Sequence, residues 1–286
     1  MKRQPGSTLS LALTLVLAPI LALAPAPLAA CTLWAAVGPA ADGGTLVAKN
    51  RDWRPDHKQM LELVRPRYGL AYFGLFAVGS DEPGLKGGVN EKGLAIISAS
   101  TNIPKRLRAD QSGKHGVMRQ ILQYYASVAD LAADAGKVFS QARDSFFLVS
   151  DRKQVLVVEV GLDGHFSAHP VDAGTTAHTN HFLDPQLAAL YNEKIGASSA
   201  TRLARINELL AQGQPPFTLD QFAAMSRDRH DGPDDSLWRN GKEWTLASWI
   251  LESRAAGPQS LRVVIANPGE AERTQTFTLD QAFWKR

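Results

Sequence analysis

Cys31 is the sole cysteine among 286 residues, and it directly follows a stretch that reads as a cleavable leader. A thiol without a disulfide partner, in a chain bound for export, is expected to be reactive or modified. Attack by sulfur requires the thiolate, so a base must take the thiol proton. Cutting the chain before Cys31 would place that base on the same residue, because a free α-amine titrates at about 7.7–8. Asp52 is the carboxylate positioned to orient such an amine, and Lys49 lies just before it in the same Lys-Asn-Arg-Asp block.

The leader carries Lys2 and Arg3, an apolar run from Leu9 to about Ala24, Pro25 and Pro27, and the small-residue ending Leu28-Ala29-Ala30. A basic head, an apolar middle and small residues before the cut describe a secretory signal peptide over residues 1–30. The run is short for a bilayer and is interrupted by Pro19, so stable membrane insertion after processing is not expected. The product would be a single domain, residues 31–286, in the periplasm or outside the cell. Its charge is nearly balanced: the 31 Lys and Arg lose Lys2 and Arg3 to the leader, leaving 29 against 28 Asp and Glu. With no basic run remaining, a nucleic-acid partner is not expected.

Leu28-Ala29-Ala30-Cys31 also fits a lipoprotein processing site, which would attach lipid to the sulfur and block the amine. The protein would then be a lipid-anchored binding module. The two fates exclude each other, and the following residues favour the nucleophile. A lipoprotein needs a polar, flexible tether, whereas Thr32 to Val37 is an apolar, β-favouring run.

The elements that must position these groups are readable as a hairpin. Gly38-Pro39 and Asp42-Gly43-Gly44 signal a turn, and Thr45 to Asn50 is a second strand returning beside the first. This brings Lys49–Asp52 next to Cys31. Apolar strands and Gly-rich turns alternate from Gly69 to Thr101. Gly116 to Ser140 reads as helical, with Val117, Ile121, Leu122 and Tyr125 on one face. Strands are expected at 145–150 and 155–160 about an Asp151–Gln154 turn, and again up to Thr179. Asp184 to Gln212 reads as two helical pieces broken near Gly196, and Leu219 to Met225 as a short helix. Strands at 245–251, 261–266 and 274–279 close the chain. The polar stretch from His230 to Asp235 reads as a loop able to border a cleft. Strand blocks separated by helix blocks indicate a layered α+β fold.

At four places the chain resembles a known superfamily. Cys31-Thr32 with the Asp-Gly-Gly turn and Lys49 to Trp53, then Gly88 to Ile96, His178 to Phe182, and Ser198 to Arg205 occur in the order found in the choloylglycine hydrolase and penicillin V acylase family. The third block is similar to the isopenicillin-N acyltransferase-like branch of linear amide hydrolases. The resemblance implies an N-terminal-nucleophile hydrolase with a four-layer αββα sandwich of two antiparallel sheets. It makes Cys31 the nucleophile, Asp52 the partner of its amine, and Asn180 a donor to the oxyanion. A second donor is expected from Ser100 to Asn102, with Asn102, His181 and Lys49 near the substrate. Arg202, or Arg205 one helical turn along, would reach toward the nucleophile strand. The bile-salt branch usually has arginine at the Lys49 position, where lysine offers a point charge in place of a planar fork.

His178 and His181 lie three apart on an extended segment and so point to opposite faces, and no other cysteine or third ligand cluster supports zinc. No metal or cofactor is expected. The activity implied is hydrolysis of a linear carbon–nitrogen bond in a small-molecule N-acyl amide through a Cys31 thioester, with acyl transfer to an amine as the alternative. Nothing in the sequence identifies the acyl chain, the amine or the oligomeric state.

Overall fold

The hairpin that opens the fold is β1 (Cys31–Gly38) followed by β2 (Gly44–Trp53). Its turn holds Asp42 and Gly43 at φ of 52° and 77°, and the Gly43 N–H returns to the Gly38 carbonyl at 2.9 Å. Left-handed backbone of this kind suits Asp and Gly. Gly44 is required for a different reason, since a Cβ there would sit 2.2 Å from the Ser253 carbonyl oxygen. The register pairs Cys31 with Arg51 and Leu33 with Lys49.

The computed structural model describes Met1 and residues 31–79, 83–108 and 114–286, so the expected signal peptide lies outside the described residues. After the hairpin come β3 (Lys58–Val64), β4 (Tyr72–Val78), β5 (Gly84–Asn90) and β6 (Ala95–Ala99). A helical segment follows as three short pieces, α1 (Met118–Tyr124), α2 (Val128–Ala133) and α3 (Ala135–Phe139). Next are β7 (Ser145–Ser150), β8 (Val155–Val160), β9 (Phe166–Val171) and β10 (Gly174–His178). Then come α4 (Pro185–Tyr191), α5 (Ala197–Gln212), α6 (Leu219–Ser226) and α7 (Gly232–Asp235). The chain ends with β11 (Trp244–Ser253), β12 (Gln259–Ile265), β13 (Arg273–Leu279) and α8 (Gln281–Trp284).

The strands form two antiparallel sheets, a six-stranded one in the order β10-β1-β2-β11-β12-β13 and a seven-stranded one running β3 to β9 in sequence order. Leu33, Ala35 and Val37 of β1 face the other sheet, meeting Ile97, Leu148 and Trp249 in the central core. Trp34 and Ala36 face outward beneath Ile206 and Leu210 of α5 and Phe222 of α6. On the far side, Ile121, Leu122 and Leu131 cover Ile96, Val149 and Val158. The result is four layers, helix, sheet, sheet, helix. Because β1 is covered on both faces, its sequence is a continuous apolar run rather than an alternating one. Sequence reading has no strand where β3 lies. This is an edge strand whose Lys58, Gln59 and Glu62 mask the period-two signal.

Candidate active site

Strand alternation divides the Lys49–Asp52 block between two faces. Lys49 and Arg51 point with Cys31 toward the space between the sheets, whereas Asn50 and Asp52 point toward the helices above β2. Cys31, Lys49 and Arg51 line a cleft of about 380 Å³ together with Ser98, Ser100 and Thr101 from the end of β6 and the loop beyond it.

The backbone of Cys31 is held on both sides. Its nitrogen donates to Asn180 Oδ1 at 3.3 Å. Its carbonyl accepts from Arg202 Nη1 at 2.8 Å, and the same nitrogen donates to Thr32 Oγ1 at 2.8 Å. Arg202 Nη2 closes the ring by donating to Asn180 Oδ1 at 2.7 Å. Two donors converging on one amide atom identify it as oxygen. The Asn180 Nδ2 edge therefore faces Ser100, whose carbonyl it meets at 2.9 Å on the cleft wall. Burial pulls the Arg202 guanidinium below its ordinary value, and the charge of Asp52 opposes that shift.

Arg202 and Arg205, alternatives in the sequence, are separated by the fold. Arg202 is 1 % exposed and reaches β1. Arg205 turns away and bonds Asp228 at 2.7 Å and Glu208 at 2.9 Å. Arg202 contacts the carbonyl of Cys31 and the Thr32 hydroxyl; the cation at the sulfur is Arg51. Its Nη1 lies 3.9 Å from Cys31 Sγ and donates to the Asp52 carbonyl at 2.9 Å. Its guanidinium sits 4.4 Å from the Trp53 ring centroid. Arg51 is 2 % exposed, with Nε and Nη2 unpartnered among the described residues. Sequence reading missed it, although once the turn is centred the cross-strand partner of Cys31 follows from counting.

Asp52 occupies a buried polar nest on the opposite face. Its Oδ1 accepts from Thr245 Oγ1 at 2.7 Å, and that hydroxyl also accepts from the Arg239 N–H at 2.8 Å. Arg239 pairs with Glu243 at 2.5 Å. Oδ2 has no partner among the described residues. Burial raises the Asp52 carboxyl above its ordinary value, while Arg239 and then Arg202 pull it back. Cys31–Arg51 is the last pair of the hairpin, so Asp52 stands one position beyond the start of β1. Thr245, Arg239 and Glu243 come from a region that sequence reading gives no site role.

Lys49 is fully buried, donating to the carbonyls of Lys86, at 2.9 Å, and Ser98. Burial lowers its amine to about 7, with the charge of Cys31 opposing.

Other expected residues lie elsewhere. Asn102 donates to the Lys194 carbonyl at 3.4 Å and is not among the residues lining the cleft. His181 is buried against the Ser199 hydroxyl at 2.8 Å, and burial lowers its pKa. His178 binds Glu159 at 3.1 Å. The His230–Asp235 stretch does not border the cleft either. Gly232–Asp235 is the short helix α7, tied to α5 by the Ser198 hydroxyl donating to the Asp234 carbonyl at 3.1 Å. Asp234 Oδ1 accepts from the Lys242 N–H at 2.7 Å.

A family model described as acyl-coenzyme A:6-aminopenicillanic acid acyl-transferase matches residues 40–259, a span that includes Lys49, Asp52, Asn180 and Arg202 and starts beyond Cys31. The fold is similar to that of a variant of the conjugated bile acid hydrolase from Clostridium perfringens, at 14% identity over 87% of this chain and 97% of that chain, with a TM-score of 0.51. It is also similar to a Caenorhabditis elegans ortholog of N-acylethanolamine-hydrolyzing acid amidase, at 15% identity over 78% of this chain and 92% of that chain, with a TM-score of 0.54. Both are N-terminal-nucleophile hydrolases, and at these identities the likeness establishes the sandwich fold. No curated protein matches the chain.

Proposed function

The chain belongs to the acyl-coenzyme A:6-aminopenicillanic acid acyl-transferase family, and from that premise we propose that it is an exported amidase cleaving a linear carbon–nitrogen bond of a small N-acyl amide through a thioester on Cys31. One observation carries this reading. The first residue of β1 has its nitrogen held by Asn180, its carbonyl held by Arg202, and its sulfur facing a cleft beside Arg51. Three side chains converging on the end of a strand is a heavy investment for a structural cysteine.

In the proposed reaction, removal of residues 1–30 converts the Cys31 nitrogen to an amine, and Asp52, whose Oδ2 has no partner among the described residues, is assigned the role of orienting it. The amine takes the thiol proton, and the thiolate is favoured by the Arg51 guanidinium. Sulfur attacks the amide carbonyl, and the developing oxyanion is met by the donor edge of Asn180 beside Ser100. The Cys31 ammonium then protonates the leaving nitrogen, the carbon–nitrogen bond breaks, and a thioester remains. The same amine next takes a proton from water, whose oxygen displaces the sulfur and releases the acid. The family description favours a second reading, in which an amine rather than water accepts the acyl group. Export would separate the enzyme from coenzyme A thioesters, which supports hydrolysis. Lipidation at Cys31 is disfavoured because the residue is 2 % exposed within the sheet.

Intact mass of protein recovered from an exporting host, followed by assay on a panel of N-acyl amides, tests the proposal. The expected product begins at Cys31 and hydrolyses at least one amide. Cys31→Ser and a form with Met-Ala left before Cys31 should both be inactive yet folded. A diacylglyceryl adduct, or full activity in the extended form, would overturn it.

A further inference from the structure

Asp52 and Glu243 are two buried carboxylates served by one guanidinium. Arg239 Nη1 donates to Glu243 Oε2 at 2.5 Å, and both side chains are buried. The Arg239 N–H donates to the Thr245 hydroxyl at 2.8 Å, and that hydroxyl donates to Asp52 Oδ1 at 2.7 Å. Residues 239–245 form a closed loop, with the Thr245 N–H returning to the Arg239 carbonyl at 3.0 Å. Asn50 fastens the chain just before this loop to β2, donating from Nδ2 to the Leu237 carbonyl at 2.7 Å. Arg239 is thereby held beside Asp52.

The pairing within this nest is unequal. Burial raises the Asp52 carboxyl, and Arg239 is the cation that opposes it most strongly, ahead of Arg202 on α5 and Arg51 on β2, with Lys49 of the same strand also in its field. Yet the Arg239 side chain bonds Glu243. Among the described residues Asp52 Oδ2 and Arg239 Nε are both without partners. Burial also raises the Glu243 carboxyl; Arg239 pulls it back, and the negative charge of Asp52 raises it again. An arginine beside a buried carboxylate ordinarily pairs with it, often through two N–H groups. Here Glu243 takes the guanidinium, so Asp52 receives its charge without giving up Oδ2.

Resting on the amidase reading, in which Asp52 orients the Cys31 amine, we propose that Glu243 is a positioning residue: it holds the Arg239 guanidinium off Asp52 Oδ2 and so keeps that oxygen open for the amine. Without the Glu243 charge, the guanidinium turns to Asp52 and occupies the oxygen. Neither Arg239 nor Glu243 lines the cleft, so the effect falls on the thiol and its base rather than on substrate binding.

Alkylation of Cys31 by iodoacetamide at pH 7, in processed protein beginning at Cys31, tests this without any substrate. Glu243→Gln should alkylate at least about tenfold more slowly than wild type, the scale of one hydrogen bond to a charged group. Arg239→Met/Glu243→Gln should return to within about threefold of wild type, because no guanidinium then competes for Oδ2 and the two opposing charges have gone together. Loosened packing gives the reverse change: Cys31 is 2 % exposed, so a merely structural defect speeds alkylation. Circular dichroism shows whether each variant is folded. Alkylation of folded Glu243→Gln at or above the wild-type rate, or a double variant no faster than Glu243→Gln, would overturn the proposal. So would failure of either variant to fold, since an Arg239 unable to turn to Asp52 is left as an unpaired buried cation. On an amide that wild type hydrolyses, Glu243→Gln should lower kcat and leave KM near wild type. Slow alkylation rescued by the double variant, in a protein that hydrolyses no N-acyl amide of the panel, refutes the amidase reading alone. Hydrolysis by wild type, with alkylation indifferent to Glu243→Gln, refutes this proposal alone.

Discussion

Arg51 and Cys31 face each other across the β1–β2 hairpin, with Nη1 3.9 Å from Sγ in a setting almost closed to solvent. A guanidinium so deep in the protein, with Nε and Nη2 unpartnered among the described residues, is unfavourable unless it has an anion to serve. A thiolate at Cys31 is the anion within reach.

Arg51→Met should therefore slow amide hydrolysis by about ten- to a hundredfold, the scale of one hydrogen bond to a charged group. Alkylation of Cys31 by iodoacetamide at pH 7 should slow to a similar extent. The melting temperature should hold or rise, since an apolar side chain replaces a buried, partly unpaired cation over Trp53. Unchanged alkylation would make Arg51 a packing residue.

Asp52→Asn should reduce turnover while leaving the Thr245 hydrogen bond largely in place. A negative neighbour favours a protonated amine, so removing it lowers the amine pKa. The acidic limb of kcat/KM against pH, which reports on the base of the free enzyme, should move to lower pH. A limb that stays in place, with full turnover, would show that the Asp52 carboxylate serves only the nest formed with Thr245 and Arg239.

Lys49 predicts a stability profile whose sign is fixed by its burial. Its amine titrates at about 7 in the fold and near 10.5 when unfolded. Below pH 7 both states bind the proton, and the folded protein bears the full penalty of a buried charge. Between about 7 and 10.5 the folded state has released its proton and the unfolded state has not, so stability rises with pH. Urea unfolding of wild type and Lys49→Met at pH 7 and pH 9 isolates the effect. Wild type should gain about 2 kcal/mol on the variant across that interval, at 1.36 kcal/mol per unit less the partial titration near pH 7. Parallel profiles would place the Lys49 amine at its ordinary value.

The parts of the fold legible in the sequence are those in which local preference and global packing agree. The hairpin around Asp42-Gly43, the β7–β8 pair and the break before α5 at Gly196 all announce themselves through turn residues and apolar runs. β3 did not, because an edge strand has fewer apolar positions to show. Among the site residues, Arg202 and Arg205 differ by three positions on one helix. Only packing shows that Arg202 shares the buried stripe with Ile206 and Leu210, since a fully buried arginine is not the default expectation for the residue type.

By itself, the sequence determined the candidate nucleophile, since one cysteine at an expected cut leaves no other thiol, and it determined the layered strand-and-helix order, since periodicity and turns are local properties. The tertiary structure decided what surrounds that thiol. Register placed Arg51 against the sulfur and turned Asp52 to the opposite face, where Thr245 and the Arg239–Glu243 pair meet it. Docking of α5 carried Arg202 onto β1 from a distant part of the chain. Charge gathered in the same way: Lys and Arg nearly balance Asp and Glu along the chain from Cys31 onward, yet six of the cations share one wall. Such convergence depends on which strand edges and helix faces meet in space, and no local pattern of residues encodes that distance.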